Sequence, residues 1–331
     1  MTRTALASLD AVLRAGGPHL PGLMGRVEER LRELAVGHGP LLAEHAEMTV
    51  AAGGKRLRPL LVFLGAGEPS GDGLSESVVR AAVAVELIHS ATLVHDDVLD
   101  DAELRRGRPS VVATAGRGIA TATGDLLFSR AFAELTRNGR AEEVRVLSAA
   151  SSALAEGELL QRADAWSADV DPDRYLQRCE LKTAALFAAA CELGALEGAT
   201  DRVSAAGELA LFGRRVGLAF QLLDDVLDVS GSPEHTGKRR GADLLDGTVT
   251  LPLILARQKD SALAQLDLRT IRSEQAAAEL CDRIEATGAV AQARERALGI
   301  VSAAKAELPD LEPEQRSALE LVADAVVERY A

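Results

Sequence analysis

Two identical acidic pentapeptides, both reading DDVLD, are the residues in this sequence best suited to chemistry. Their aspartates are Asp96, Asp97, Asp100, Asp224, Asp225 and Asp228. Within each motif the first and last aspartates are four residues apart, so on a helix they share one face, one turn from each other. Such paired carboxylates offer the hard oxygen ligands that Mg²⁺ takes, commonly together with phosphate oxygens. The repeat therefore predicts two acidic rims around a phosphate group held through metal.

A blander interpretation is that each motif is only a solvated helix end. Apolar residues directly precede both motifs, as at Leu93-Val94 and Leu222-Leu223, so the helices that carry them must be largely buried. Carboxylates beside a buried helix are costly unless they are paired, solvated in a cavity or bound to metal. Solvation accounts for either motif alone, but two identical motifs are better explained by one shared site.

Basic residues lie in or next to the loops near these motifs. They are Lys55, Arg58, Arg105, Arg106, Lys182 and Lys238. Any one of them alone is compatible with an ordinary surface charge. Together with the acidic pair they favour a diphosphate site, because Lys and Arg bind the oxygens that the metals leave. His89 lies seven residues before Asp96 and shares its helix face, whereas His95 is expected to be a supporting or surface residue.

The bulk properties narrow the class of protein. A net charge of -13 argues against a nucleic-acid surface, which needs clustered positive charge. The three cysteines have neither metal spacing nor an even number for disulfides, which is typical of a reducing compartment. No uncharged apolar run reaches the 18 residues that a membrane span needs, and the first residues lack the apolar core of a signal peptide. We therefore expect a soluble, cytoplasmic protein.

Helical periodicity runs through nearly the whole chain, and strand-like alternation is nearly absent. The pattern predicts two or three helices up to residue 51, then one from Leu57 to about residue 66, and a long helix that ends in the first motif. A further helix is expected to open at Gly124 and Asp125. Later helices are expected at about 141–168, 172–194 and 201–229, the last ending in the second motif, and again from residue 251 to the end. These expectations amount to one all-α domain over residues 1–331.

In this order, the motifs resemble those of the trans-isoprenyl diphosphate synthases, also called polyprenyl synthetases. The resemblance starts at GGKRLRP (Gly53 to Pro59) and ends at TLPLI, which begins at Thr250. Between them lie the RRG that follows the first motif, the Lys182-Thr183 pair, and FQLLDDVLD with the later TGK. The resemblance implies a bundle of long helices around a deep apolar cavity, in a homodimer, with the two aspartate motifs facing each other at the cavity mouth.

The resemblance also implies roles for individual residues. Asp96 and Asp100 would bind two Mg²⁺ ions and Asp224 a third, with Asp97, Asp225 and Asp228 in support. These ions would hold an allylic diphosphate (dimethylallyl, geranyl, farnesyl or geranylgeranyl). Residues that would help the diphosphate to leave are Arg105, Lys182 and Lys238. Residues that would hold isopentenyl diphosphate are Lys55, Arg58, His89 and Arg106, while Thr183 and Gln221 would face the allylic cation through their oxygens.

Product length depends on the cavity wall below the first motif. Ala91 and Thr92 lie about 6 to 7.5 Å deeper than Asp96 at 1.5 Å per residue, and both are small enough for a growing chain to pass. Candidate residues for the floor are Phe128 and Phe132, or Leu87 and Ile88. We expect a product of about seven to ten isoprene units, with a shorter farnesyl or geranylgeranyl product as the alternative.

One departure from the family pattern concerns charge. Family members often carry a lysine before TLP, whereas this chain has Asp246, Gly247 and Thr248. Lys238 or Arg239 is the candidate replacement for that cation. Two other functions remain open at this point: a class I terpene cyclase, and a non-catalytic partner subunit of a heteromeric synthase.

Overall fold

The protein is described by a computed structural model that covers residues 10–36, 40–51, 53–68, 72–105, 107–167, 169–198, 204–231 and 239–328. Two predicted site residues, Arg106 and Lys238, lie outside the described residues.

Almost every described element is a helix, as the periodicity predicts. After a helical stretch at residues 10–15, the first half contains α1 (Leu20–Ala35), α2 (Pro40–Ala51), α3 (Leu57–Ala66), α4 (Asp72–Leu99), the two-residue strands β1 (Leu104–Arg105) and β2 (Arg108–Pro109), α5 (Val111–Thr136) and α6 (Ala141–Asp164). The second half contains α7 (Pro172–Cys179), a π-helical turn (Glu180–Ala184), α8 (Ala185–Glu197), α9 (Ala206–Ser230), α10 (Ala242–Leu245), α11 (Leu251–Lys259), α12 (Ser261–Ala264), a 3₁₀ turn (Leu268–Thr270), α13 (Glu274–Ala286), α14 (Ala289–Ala306) and α15 (Pro313–Glu328). The all-α prediction is confirmed.

The ends of several helices follow from local capping chemistry. The Ser110 hydroxyl accepts the Ala113 N–H at 3.1 Å and so begins α5. The Asp171 carboxylate accepts the Arg174 N–H at 2.8 Å at the start of α7. Pro172 suits the first position of this helix, because it has no backbone N–H that would need a partner there.

The expected helix start at Gly124 is wrong. Gly124 lies inside α5, where a Cβ atom would come within 2.2 Å of the His95 ring on α4. The glycine is therefore required for close packing of α4 against α5 rather than for a helix end. The break in α5 occurs earlier, at Gly116, whose φ of 80° is accessible mainly to glycine.

Helix α8 lies at the centre of the bundle, and its residues are nearly all buried. It packs against α3, α4, α6 and α9. Its approach to α3 and α9 is so close that a Cβ atom on Gly194 would lie 2.1 Å from the Val62 carbonyl oxygen, and one on Gly213 2.4 Å from that of Phe187. Since α4 and α9 carry the two aspartate motifs, their common contact with α8 sets the distance between the motifs.

One stretch of α4, Glu76–Leu99, is long and apolar enough to cross a membrane by length and composition alone. However, 72% of its most apolar window is buried inside the protein, as expected for the core helix of a bundle. The three cysteines are free and buried, in agreement with the prediction that they form no disulfide.

Candidate active site

Both aspartate motifs line a single cavity of about 350 Å³. The predicted site residues that line it are Asp96, Asp100, Arg105, Lys182, Thr183, Gln221, Asp224, Asp225 and Asp228. The C-terminal parts of α4 and α9, together with the π-helical turn, therefore meet around one space. Of the predicted residues that the structure describes, four are not part of this lining: Lys55, Arg58, His89 and Asp97.

In the first motif, two aspartates are held by arginines. Asp97 is buried and accepts a 2.8 Å hydrogen bond from Arg105 Nε. Asp100 is exposed and accepts a 2.5 Å hydrogen bond from Arg162 Nη2 on α6. Asp97 is thus engaged within the protein and is not part of the cavity lining. Asp100 does line the cavity, and it is bonded to Arg162, which the sequence did not indicate.

Asp96 is the carboxylate of the first motif with the most perturbed proton affinity. Burial raises its pKa to about 6, although the positive charge of Lys182 opposes the shift. The negative charges of Glu158 and Asp100 add to the increase. A cation placed next to Asp96 would relieve this cost, because it favours the ionised form.

Lys182 lies on the π-helical turn Glu180–Ala184, a distortion that often occurs at functional sites. Its ammonium group donates a hydrogen bond to Glu158 on α6, whose other carboxylate oxygen accepts from Arg162 Nε at 2.9 Å. Burial would raise the pKa of Glu158, but these two cations outweigh it and lower the pKa. The chain passes close by at Gly157, where a Cβ atom would lie 2.4 Å from the Lys182 backbone nitrogen.

A chain of short hydrogen bonds organises the second motif. Asp225 is buried and accepts 2.6 Å and 2.8 Å bonds, from the Tyr175 hydroxyl and from Gln221 Nε2. Thr183 Oγ1 then donates to Gln221 Oε1 at 2.7 Å, which leaves the Thr183 oxygen lone pairs available on the cavity wall. Burial raises the pKa of Asp225 to about 7, although the two hydrogen bonds lower it.

Asp228 organises a segment that contributes to the cavity lining. Its carboxylate accepts the backbone N–H of Ala242 at 3.1 Å and of Asp243 at 3.3 Å. This holds the first turn of α10 beside the second motif and brings Asp243, Asp246 and Thr248 into the lining.

The cations of the GGKRLRP motif are not among the residues that line this cavity. The Arg58 guanidinium carbon lies 4.6 Å from the centre of the Phe187 ring. Phe187 follows Thr183 by four residues, which is about one helical turn. Arg56, between the two predicted cations, is buried and structural, since it bonds Glu28 at 2.6 Å and Glu86 at 2.7 Å.

Sequence reasoning missed several residues that surround the motifs, namely Glu158, Arg162, Tyr175 and Arg178. The available signal was weak. Glu158 directly follows Gly157 in a helix, and Tyr175 and Arg178 precede the Lys182-Thr183 pair by about two and one turns.

The donor set suits a hard divalent cation that is completed by a ligand. Within the described ranges, no group of three His, Cys, Asp or Glu side chains is close enough to hold a metal by itself. The cavity nevertheless offers carboxylate oxygens from two helices, which is the arrangement for Mg²⁺ bound partly through substrate phosphates.

Comparison with known proteins agrees with this geometry. Residues 39–286 match the polyprenyl synthetase family. The chain is 42% identical over 259 residues to heptaprenyl diphosphate synthase component 2 of Geobacillus stearothermophilus, covering 77% of this chain and 79% of the relative. It is 38% identical over 311 residues to a short chain isoprenyl diphosphate synthase of Methanothermobacter thermautotrophicus, covering 91% and 95%.

The fold also matches a solved structure along almost its full length. The crystal structure of a polyprenyl synthase from Caulobacter crescentus CB15, complexed with calcium and isoprenyl diphosphate, superposes with a TM-score of 0.86 at 34% identity and 98% coverage of both chains. With both aspartate motifs at one cavity, this chain belongs to the polyprenyl synthetase family, the prenyltransferases of the trans-isoprenyl diphosphate synthase type.

Proposed function

We propose that this protein joins isopentenyl diphosphate to an allylic diphosphate and releases diphosphate, extending an all-trans chain to about seven to ten isoprene units. The observation that carries the proposal is the meeting of both DDVLD motifs at one cavity with Lys182, Thr183 and Gln221 on its wall.

The metal in this proposal is Mg²⁺, three ions per site. Asp96 and Asp100 would hold two of them and Asp224 the third. When bound, the ions supply the positive charge that lets an anionic diphosphate lie between two acidic rims. Asp97, Asp225 and Asp228 would act in support, since their carboxylates already accept hydrogen bonds from Arg105, Tyr175 and the α10 backbone.

The side chains around the cavity would act by charge and orientation. Arg105, Lys182 and Lys238 would stabilise the departing diphosphate. The Thr183 oxygen, oriented by Gln221, would face the allylic cation. Lys55, Arg58, His89 and Arg106 would hold isopentenyl diphosphate. The proposal assigns no nucleophilic side chain, because the double bond of isopentenyl diphosphate attacks the cation and the released diphosphate takes the proton.

The test is a product assay with the purified chain. Incubation with Mg²⁺, one allylic primer and labelled isopentenyl diphosphate is expected to yield elongated products, whose lengths are read after dephosphorylation. A chelator should abolish the yield, and Asp96→Asn should reduce it by about a hundredfold or more. Formation of a cyclic hydrocarbon without isopentenyl diphosphate would instead support a class I terpene cyclase.

A partner subunit is the second candidate arrangement, because the Geobacillus relative is named as a component. We propose that the chain acts as a cytoplasmic homodimer. Sedimentation velocity of the purified chain, with the product assay on the same sample, decides between the two. Activity that appears only after addition of a second protein would overturn the homodimer proposal.

A further inference from the structure

A short segment that follows the second motif supplies part of the cavity wall. Four of its residues line the cavity, namely Ala242, Asp243, Asp246 and Thr248. We refer to residues 241–248 as the wall segment. Its first turn is held by the Asp228 carboxylate of the second motif. The opposite end of the segment is held by Trp166, which is not itself part of the lining.

Trp166 meets the wall segment at Gly247, between two of the lining residues. Its backbone N–H donates a 2.8 Å hydrogen bond to the Gly247 carbonyl oxygen. Its ring lies so close that a Cβ atom on Gly247 would come within 2.2 Å of the ring carbons Cδ2 and Cε2. Gly247 also has a φ of 73°, which glycine adopts readily. The contact therefore requires glycine at this position both for the backbone conformation and for the ring.

The backbone of Trp166 has an unusual conformation. Its φ is 65°, in the left-handed region that large side chains rarely adopt. Such a conformation costs free energy and persists only where the surrounding contacts impose it, which often occurs at functional sites. Here the next residue is fixed as well, because the Ser167 carbonyl oxygen accepts a 3.2 Å hydrogen bond from Arg257 Nη1 on α11. The turn thus holds the Trp166 ring against Gly247.

This contact joins the elements that hold the two aspartate motifs. Trp166 directly follows α6, and α6 is bonded to the first motif through Arg162 and Asp100. The wall segment is bonded to the second motif through Asp228. The ring of Trp166 therefore helps to set the position of the wall segment relative to the first motif.

Asp246 and Thr248 flank Gly247 and are the lining residues that the contact controls most directly. Burial raises the pKa of Asp246, and the negative charge of Asp100 adds to the increase, so this carboxylate lies near the first motif. A carboxylate can bind a metal ion or a water on it, and a threonine hydroxyl can donate to a phosphate oxygen. The two residues therefore suit a wall that faces a metal-bound diphosphate.

We propose that Trp166 is a positioning residue of this cavity, whose ring holds Gly247 and thereby fixes Asp246 and Thr248 on the wall that a metal-bound diphosphate faces. The inference rests on the proposed function, because it requires a diphosphate ligand. Trp166 acts only through the wall segment, since it does not line the cavity.

The experiment compares variants on both sides of the contact. Trp166→Ala removes the ring but keeps the backbone bond to Gly247, and Trp166→Phe keeps a smaller ring. Gly247→Ala places a methyl group against the ring, and the double variant Trp166→Ala/Gly247→Ala removes that clash. Gly288→Ala is the matched control, because Gly288 has a similar φ of 75° but a Cβ atom there meets nothing within 4 Å.

Three quantities are measured on each variant. Calorimetry gives the affinity for inorganic diphosphate with Mg²⁺, and kinetics give kcat and the KM of the allylic diphosphate separately. Trp166 is the only tryptophan in the chain, so its fluorescence emission reports whether the ring has moved. Thermal unfolding checks the fold of each variant.

We expect Trp166→Ala and Gly247→Ala each to weaken diphosphate binding about tenfold or more and to raise the KM of the allylic diphosphate. The double variant should bind no more weakly than the weaker of the two single variants, because both changes act on one contact. Trp166→Phe should keep part of the affinity, and Gly288→Ala should stay within about twofold of the wild type. The emission of Gly247→Ala should shift to longer wavelength, since the added methyl group pushes the ring towards water.

Wild-type diphosphate affinity in Trp166→Ala overturns the proposal, even if the variant unfolds at a lower temperature, because the role is then structural only. Additive losses in the double variant, or wild-type emission in Gly247→Ala, also overturn it. A wild-type protein that neither binds diphosphate nor forms product contradicts the proposed function as well, so the two failures are distinguishable.

Discussion

At the residue scale, the second aspartate motif shows that adjacent carboxylates can have different tasks. Asp224 and Asp228 line the cavity, as does Asp225, but both oxygens of Asp225 already accept bonds from Tyr175 and Gln221. A carboxylate fixed in this way orients its neighbours. Asp225 thus determines which way the Gln221 amide points, and Gln221 in turn orients the Thr183 hydroxyl.

Removing the Tyr175 hydroxyl tests this network. Tyr175→Phe is expected to lower the free energy of unfolding by about 1–3 kcal/mol, because a buried carboxylate loses a donor. The pKa of Asp225, already raised to about 7, should rise further, since the lost bond favoured its ionised form. Chemical denaturation measures the first effect.

The control is a double-mutant cycle with Asp225→Asn. If the Tyr175 hydroxyl acts through Asp225, its removal should cost clearly less in the Asp225→Asn background. Equal costs in both backgrounds would contradict the network.

At the element scale, the π-helical turn that carries Lys182 packs closely against α6 at Gly157, where the glycine leaves room for the backbone of the turn. Gly157→Ala should lower stability by about 1–3 kcal/mol and reduce activity, because its Cβ would lie 2.4 Å from the Lys182 backbone nitrogen. Denaturant titration and the product assay measure the two effects.

Gly299→Ala on α14 is the matched control for this substitution. A Cβ atom at Gly299 meets nothing within 4 Å, so alanine there should stabilise the protein by up to about 1 kcal/mol. If both variants gain stability, the close approach of α6 to the turn is wrong.

The junction of α6 and α8 contains a buried pair of glutamates, Glu143 and Glu197. Asn138 Nδ2 donates to Glu143 Oε2 at 2.9 Å, and Arg140 Nε lies 3.5 Å from Glu197 Oε1. Burial and the hydrogen bond with Glu197 raise the pKa of Glu143 to about 8. Glu143 is therefore protonated in the folded state at neutral pH.

This pair predicts a pH dependence of stability. Since the pKa of Glu143 is raised from 4.5 to about 8, the folded state keeps a proton that the unfolded chain has lost, and stability falls as the pH rises through that window. The side chain in Glu143→Gln does not titrate, so its stability should not fall over this pH range. At the upper end of the range, near pH 8, the free energy of unfolding of Glu143→Gln should exceed that of the wild type by about 2–4 kcal/mol. Unfolding free energies measured across the window check this, and parallel curves for the two proteins would contradict it.

At the scale of the whole molecule, the proposed product length would depend on the α4 residues below the first motif, although Ala91, Leu87 and Ile88 are not part of the cavity lining. Ala91 and Ile88 are fully buried on α4, and Phe128 stacks against His95 with 6.0 Å between ring centres. Phe128 thus lies at the level of the motif, which favours Leu87 and Ile88 as the deeper floor.

Ala91→Phe is expected to shift the product to shorter chains, because a ring at this level blocks the path of the growing tail. Chromatography of the dephosphorylated products measures the shift. Ala91→Ser, which keeps the wall small, should leave the distribution unchanged. An unaltered distribution in Ala91→Phe would place the wall elsewhere.

The helical elements and the aspartate motifs could be predicted from the sequence because both depend on short spacings. A turn of helix or a DDVLD repeat is complete within a few residues. The helix start predicted at Gly124 failed for the opposite reason: that glycine serves a contact with His95, 29 residues earlier in the chain.

The sequence by itself thus determined an all-α protein with two acidic motifs, because periodicity and local chemistry are written in neighbouring residues. Only the tertiary structure decided which partners these motifs meet. Tyr175 reaches Asp225 across 50 residues and Lys182 reaches Glu158 across 24, and such pairings arise from how α8 packs between the other helices.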